Sequence, residues 1–387
     1  MVSCKSIYEP QEDSTLLERY VRQYAKGRVI DIGTGSGIQA IAAAQNTNVS
    51  SVLATDIEEE VIKYCNKNIK NKKIKFFQSD LFRNIKRKFD TIIFNPPYLP
   101  HEMKLKDLAI ESGKKGYETI EKFLNEANNF LKSEGIILIV FSSLTKKEKV
   151  EEFIKNNLLE FQELEKTHIF FEDIYVYKLR KSHLLKILEI KGLNRLRYFA
   201  TGHRGILFRG IMNDNEVVVK TKNPESKAIN RIENEIGWLK KLNKNDIGPK
   251  LLIAHKDFFI YKYIEGKFIA DCIKESNKNE IKNILKKIFN QMFILDKLKI
   301  DKEEMHHPLK HIIISENKPY LIDFERAHYS HNPKNVTQFC QFIINSQAAG
   351  ILKKKKMNIQ RDKIIELAKI YKNHQNRTNF EKIIKIL

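Results

Sequence analysis

Apolar residues fall along this chain in two rhythms. Short continuous runs at residues 28–32, 51–54, 74–78, 89–94 and 174–179 have the length and flanking turn residues of buried strands. Residues 38–45, rich in alanine, read as a helix between the first two strands. Strands alternating with helices predict an α/β sheet whose ligands sit at the carboxyl ends of its strands. A second series begins after residue 192. There 206–211, 216–219, 259–264 and 312–314 read as strands, and 226–242 and 280–298 as helices. A basic, helix-compatible connector, 180–192, lies between the series. At 387 residues two domains are the default, and we place them at 1–182 and 192–387.

The chemistry of the first series gathers where strands end. Residues 89–94 run into Asn95-Pro96-Pro97-Tyr98. Two prolines cannot continue a ladder, because they have no N–H to donate. The Asn95 amide oxygen and the Pro96 carbonyl both accept hydrogen bonds, so together they suit the two hydrogens of a planar –NH2 group. Tyr98 offers a flat face to the conjugated plane behind that nitrogen. The first strand is followed by Asp31-Ile32-Gly33-Thr34-Gly35-Ser36-Gly37, spaced Gly-x-Gly-x-Gly rather than as a dinucleotide fingerprint. Glycines there admit a ligand close to the backbone, at a helix start that favours negative charge. Asp56, ending the next strand, is placed to bind ribose hydroxyls, and Asp80, after the third, to accept from an adenine amino group. Asp31, Asp56, Asp80 and Asn95 thus mark four strand ends. Such a grip suits N-methylation of a side-chain amide or of an exocyclic base amine, and both acceptors stay open.

On these residues the first half resembles class I S-adenosylmethionine-dependent methyltransferases. Within them it resembles the HemK-type glutamine methyltransferases, most of all the archaeal and eukaryotic release-factor branch. Tyr8-Glu9-Pro10-Gln11-Glu12-Asp13-Ser14 also carries the likeness, as do Asp80-Leu81-Phe82. Glu12, Asp13 and Ser14 read locally as a helix N-cap with acids in the first turn. The resemblance implies a Rossmann-like fold with a seven-stranded mixed sheet. It implies that Tyr8, Pro10, Glu12, Asp13, Ser14, Asp31, Gly33, Gly35, Gly37, Asp56, Asp80 and Leu81 bind S-adenosylmethionine, and that Asn95, Pro96, Pro97 and Tyr98 are catalytic. It implies the glutamine of a Gly-Gly-Gln loop in a class I translation release factor as substrate, with a loop at 108–118 facing it. It further implies a small zinc-binding activator subunit covering an apolar edge.

The second series keeps the order of a protein kinase: a glycine turn (Gly202 to Gly205), a strand lysine (Lys220), helix acids (Glu233, Glu235), His306 to His311, and Asp323-Phe324-Glu325. It resembles small atypical kinases of the RIO and lipopolysaccharide-kinase kind, an α+β bilobal fold. The resemblance implies an ATP site at Gly202, Gly205, Lys220, Glu235, His311 and Asp323, with Asp323 holding Mg2+. Glu233 rivals Glu235 as partner of Lys220. His306 stands where kinases carry the catalytic aspartate. The clustered histidines also raise a zinc site, and a non-catalytic binding module is a further reading.

The net charge is +21. Roughly +18 of it falls after residue 183, a balance that suits contact with RNA or a ribonucleoprotein, or lysines that simply face water. No apolar run reaches the length of a membrane span, and residues 1–9 lack a signal-peptide profile. The four widely spaced cysteines read as reduced thiols in a cytoplasmic protein.

Overall fold

The computed structural model of the chain describes residues 10–97, 116–169, 171–202, 205–222, 231–357 and 359–387. Tyr8, Tyr98 and most of the 108–118 loop lie outside them. The chain divides into two compact units: residues 1–198 with 210–213, and residues 199–209 with 214–387.

The first unit is built on strands β1 (Gly27–Ile32), β2 (Val49–Asp56), β3 (Ile74–Gln78), β4 (Phe89–Phe94), β5 (Leu131–Ser142), β6 (Leu159–Ile169) and β7 (Glu172–Lys181). They form one sheet in the order β3-β2-β1-β4-β5-β7-β6. Neighbours pair in parallel from β3 through β5, whereas β7 runs antiparallel to both β5 and β6. This is the Rossmann-like seven-stranded mixed sheet that the resemblance implies. Its central strands are continuously apolar because helices cover both faces. Val29, Ile30 and Ile32 of β1 and Ile92, Ile93 and Phe94 of β4 are all buried. The edge strand β3 is different: only Ile74 is buried in it, and Phe77 stays exposed.

Helix α1 (Glu12–Tyr24) packs on α2 (Ile38–Gln45) and on β5. Its N-cap position is Gln11, which makes no side-chain cap, so Glu12, Asp13 and Ser14 are first-turn residues and not a cap. Helix α3 (Glu59–Asn68) follows β2, and α4 (Glu118–Phe130) precedes β5. Phe123 of α4 stacks on Phe94 with centroids 4.1 Å apart, and Phe82 stacks on Phe130 at 4.5 Å. Each such pair contributes ~0.5–1.5 kcal/mol beyond its buried area. The stack pins the end of β4, and therefore the backbone that carries Asn95. Helix α5 (Lys147–Asn156) follows β5. The supposed connector splits: Arg180 and Lys181 still belong to β7, and α6 (His183–Ile190) starts where the Ser182 hydroxyl accepts from Leu185 N.

Strand β8 (Leu193–Thr201) falls largely in the first unit. The second unit holds strands in the order β11-β12-β10-β9, from most of β9 (Gly205–Met212), β10 (Asn215–Lys222), β11 (Leu251–Ala254) and β12 (Phe258–Lys262). Helix α7 (Arg231–Leu242) follows β10. Strands β13 (Lys267–Phe268) and β14 (Ile300–Asp301) flank helices α8 (Ile269–Glu275) and α9 (Lys278–Lys297). Helix α9 starts at a capping box: Asn277 Oδ1 accepts from Glu280 N, and Glu280 Oε2 accepts from Asn277 N. Its apolar stripe, Ile281 to Leu295, forms the centre of a large core with Phe324, Phe339 and Tyr371. A hairpin of β15 (Ile312–Ser315) and β16 (Lys318–Leu321) leads into Asp323. Among the described residues, no helix is long and apolar enough to cross a membrane. Cys65, Cys272 and Cys340 are free thiols.

Candidate active site

Strand register brings the first site together. Ile32 pairs with Thr55 on one side and with Phe94 on the other, and Asp56 pairs with Gln78. Gly33, Asp56 and Asn95 therefore leave the sheet at one level, with Asp80 two residues beyond β3. Gly33 (φ 68°) has open space where a side chain would stand, with no atom within 4 Å. Gly37 is different. It is the left-handed N-cap of α2, with φ 83°, a conformation that favours glycine, and an added Cβ would also displace the Ile69 Cδ1 methyl, 2.4 Å away. Two buried polar atoms of this loop and helix, Ser36 Oγ and Gln39 Oε1, have no hydrogen-bond partner. No acid occupies the first turn of α2. The loop thus presents open space, orphan polar atoms and a helix start, which fit the charged amino-acid end of S-adenosylmethionine.

Asp56 accepts from Gly35 N at 3.0 Å and from Glu58 N at 3.1 Å. Burial pushes its carboxyl up, against those backbone donors that favour the charged form. Each oxygen keeps a lone pair for a ligand hydroxyl. Leu81 holds a positive φ of 45°, with its carbonyl bonded by the Ser79 hydroxyl at 3.0 Å. A branched side chain in that region is strained, a condition that gathers at ligand sites.

Asp31 departs from expectation. It lies one residue inside β1 and is 1% exposed, so it faces no open cleft. Its carboxylate accepts from Thr34 Oγ1 at 2.7 Å, beneath the glycine turn. Burial pushes its pKa up to about 7, opposed by the Thr34 and Ala40 donors and reinforced by the nearby Asp56 charge. Its carboxylate thus fastens the turn through Thr34. Cys65 donates to Gly35 O from the far side, and burial raises its thiol to about 12, so it is inert. Pro10 and Glu12 are exposed at the start of α1, whereas Asp13 and Ser14 are buried against Asn95.

In the second unit Lys220 Nζ lies 2.6 Å from Glu235 Oε2 and 3.4 Å from Asp323 Oδ1. Glu233 pairs with Lys222 instead, which decides between the two rival acids. Burial works against the Lys220 charge, but Glu235 and Asp323 more than reverse it and hold the ammonium cationic. Gly205 sits beside them: a Cβ there would meet Thr221 O at 3.0 Å and Lys220 Cε at 3.2 Å. Gly202 N donates to Gly205 O across the turn. Asp323 has φ 63°, and Lys302 Nζ donates to its carbonyl at 2.9 Å. Lys302 escaped the sequence reading, since nothing local marks a lysine that folds inward. Burial lowers its pKa to about 8, against the pull of Asp323 and Glu235. His311 Nδ1 lies 4.0 Å from Asp323 Oδ2 and is buried without a hydrogen bond. Carboxylate oxygens of Glu235, Asp323 and Glu325 come within 4.8 Å of one another. Among the described residues, no group able to hold a metal includes His306 or His307, whose exposed rings lie tilted at 53° with centroids 4.5 Å apart. The zinc reading of those histidines therefore has no geometry behind it.

Comparison with known proteins places the first unit. Residues 8–172 match the family model "Methyltransferase small domain". A putative protein N5-glutamine methyltransferase of Methanocaldococcus jannaschii is 40% identical over 146 residues, which are 36% of this chain and 74% of that protein. The release factor glutamine methyltransferase of Streptococcus pneumoniae is 34% identical over 29% of this chain and 44% of its own length. The ribosomal protein uL3 glutamine methyltransferase of Francisella tularensis is 30% identical over 29% of this chain and 40% of its own. The chain thus spans less than half the length of these two relatives. Among solved structures, a chain from the E. cuniculi Mtq2–Trm112 complex, which methylates the eRF1 termination factor, aligns at TM-score 0.38 and 23% identity, over 46% of this chain and 99% of that one. With a glycine turn, a strand-end carboxylate and Asn-Pro-Pro level on one sheet, and with 40% identity across most of a close relative, the chain belongs to the methyltransferase small-domain family, is homologous to the protein glutamine methyltransferases, and is an S-adenosylmethionine-dependent methyltransferase.

Proposed function

We propose that the first unit methylates the N5 nitrogen of a protein glutamine, the Gly-Gly-Gln glutamine of a class I translation release factor. The observation that supports this most is Asn95-Pro96-Pro97, held level with the glycine turn by the Phe94–Phe123 stack. Bound S-adenosylmethionine supplies an electrophilic methyl group on its sulfonium. Asp56 holds the ribose, and the Gly33 turn with the start of α2 takes the amino-acid end. Asp80 and the strained Leu81 border the adenine. An amide nitrogen is a weak nucleophile because its lone pair is delocalised. Asn95 Oδ1 and the Pro96 carbonyl accept its two N–H groups and favour the positive charge that grows as the nitrogen pyramidalises. Alignment of the nitrogen with the methyl carbon supplies much of the remainder. As the N–C bond forms the C–S bond breaks, and the cationic nitrogen then sheds a proton to water without a strong base.

The kinship with glutamine methyltransferases favours the amide over a base amine. A radiolabelled methyl assay with purified class I release factor of the archaeal and eukaryotic type, total RNA and DNA tests this. Label in the release factor supports it, and label confined to nucleic acid rejects it. The activator subunit fits the β3 edge, where among the described residues no strand pairs with the outer side and Phe77 and Ile57 are exposed. A small zinc protein that copurifies and is lost on charging Phe77 would support that partner.

For the second unit we infer a Mg·ATP site of kinase-like type at Lys220, Glu235 and Asp323. The supporting observation is that a strand lysine, a helix glutamate and an aspartate 103 residues away meet within 3.4 Å. Gly202 and Gly205 cover the phosphates, Lys220 contacts them, and Asp323 with His311 and Glu325 hold the cation. The charge of residues 184–387 suits a ribonucleoprotein target. Mg·ATP binding that vanishes in Asp323→Ala supports the site, and binding unchanged by that variant rejects it.

A further inference from the structure

The turn that starts α1 does more than border the cofactor. Asn95 Nδ2 lies 3.0 Å from Ser14 Oγ and 3.3 Å from Asp13 Oδ2. Asp13 is 3% exposed and Ser14 1%. The turn is itself fastened: Gln39 Nε2 of α2 donates to Ser14 O at 2.8 Å, and Ser14 N donates to Asp13 Oδ1 at 2.6 Å.

These contacts settle which end of the Asn95 amide faces which way. An ionised carboxylate only accepts, so the group facing Asp13 must be the –NH2. Both of its hydrogens are spent, one on Asp13 and one on Ser14. Among the described residues, Asn95 Oδ1 takes no hydrogen bond. It is the atom left for an incoming N–H.

We propose that Asp13 and Ser14 are positioning residues for methyl transfer, holding the Asn95 amide with its oxygen toward the acceptor nitrogen. The proposal rests on the reading of Asn95 as the acceptor grip, and it holds for any planar –NH2 acceptor. Without these two partners the amide would turn freely, and a turned amide meets the acceptor donor to donor. The arrangement also joins the segment that borders the cofactor to the group that grips the acceptor.

The geometry singles out Asp13→Asn as the sharpest test. Ser14 N pins the Oδ1 position of residue 13 as an acceptor. In the variant, the new –NH2 therefore stands where Oδ2 was, facing Asn95. Two –NH2 groups cannot bond, so Asn95 must turn over and offer its own –NH2 to the acceptor. Reversing the pair, Asp13→Asn with Asn95→Asp, restores a donor facing a carboxylate and leaves a carboxylate oxygen for the acceptor.

The experiment measures kcat, the KM for the acceptor, and S-adenosylhomocysteine affinity. It compares wild type, Asp13→Asn, Ser14→Ala, Asn95→Asp and the reversed pair, on whichever of release factor, RNA or DNA takes label in the wild type. Label in nucleic acid alone removes the glutamine reading and leaves the orientation claim to be judged on that acceptor. The expected result is a loss of roughly 100-fold in kcat for Asp13→Asn, the scale of one misplaced polar group at a reacting centre. Ser14→Ala should lose roughly 10-fold, since one partner remains. S-adenosylhomocysteine affinity should stay within about threefold in both, because these side chains are buried against Asn95, whereas a lost hydrogen bond to the ligand would cost roughly tenfold. The reversed pair should exceed both of its single variants. An Asp13→Asn enzyme with wild-type kcat overturns the proposal, and so does a reversed pair no better than either single variant. A loss confined to cofactor affinity overturns it as well.

Discussion

Asp56→Ala probes the cofactor site most directly. The carboxylate ends β2 at the level of Gly33 and already accepts from Gly35 N at 3.0 Å and Glu58 N at 3.1 Å. Two ribose hydroxyls donating to it form hydrogen bonds to a charged group, each contributing ~1.5–3 kcal/mol. Part of that offsets removing a half-buried carboxylate from water, so a net loss of about 3 kcal/mol is expected, or roughly 100-fold in Kd. The alanine variant also strips acceptors from Gly35 and Glu58, which loosens the turn and adds to the loss. Asp56→Asn would not be conservative either, because the amide's –NH2 must face one of those two backbone donors. The assay is calorimetric titration with S-adenosylhomocysteine at pH 7.5, with circular dichroism to confirm the fold. Since burial raises the Asp56 pKa, wild-type affinity should also weaken as the pH falls and the carboxylate protonates. A folded Asp56→Ala protein that binds within threefold of wild type would show that the strand-end carboxylate does not hold the ribose.

Other expectations follow from single sites. Asn95→Ala should abolish methyl transfer while S-adenosylhomocysteine still binds, and turnover near wild type would remove Asn95 from the chemistry. Asp31 has a folded pKa of about 7 against an ordinary value of 3.8, so its unfolded form loses its proton first. Burying the charge therefore costs stability that grows between about pH 4 and pH 7, to ~4 kcal/mol, and is constant above. Denaturant melts of Asp31→Asn and wild type should diverge in the variant's favour as pH rises, and a difference that is flat with pH would contradict the assignment. Lys220→Met leaves the buried Glu235 beside Asp323 without its nearest cation, at ~3–5 kcal/mol. The loss should shrink at acid pH, where Glu235 takes a proton, and when Mg2+ is added. A thermal melt insensitive to both would refute the cluster.

Much of the first unit was legible in the chain. Strands 74–78 and 89–94 and helix 38–45 appear with those same bounds, because glycine, proline and charged residues punctuate runs too apolar to be anything but buried. The Asn-Pro-Pro stop announces itself, since proline cannot extend a ladder. Strand β5 is absent from the sequence reading although residues 136–141 are a continuous apolar run, whereas β6 alternates charged and apolar residues at an exposed margin of the sheet and carries no such signal. Register was beyond the sequence as well. Only pairing Ile32 with both Thr55 and Phe94 puts Gly33, Asp56 and Asn95 on one level, and it leaves Asp31 a residue inside. The choice of Glu235 over Glu233 was equally tertiary. Two residues on a helix differ by about 200° of rotation, so one acid turns toward Lys220 and the other toward Lys222. Residue types and their spacing thus named the chemistry. Strand pairing and helix rotation, which depend on partners far away in the chain, decided which atoms meet.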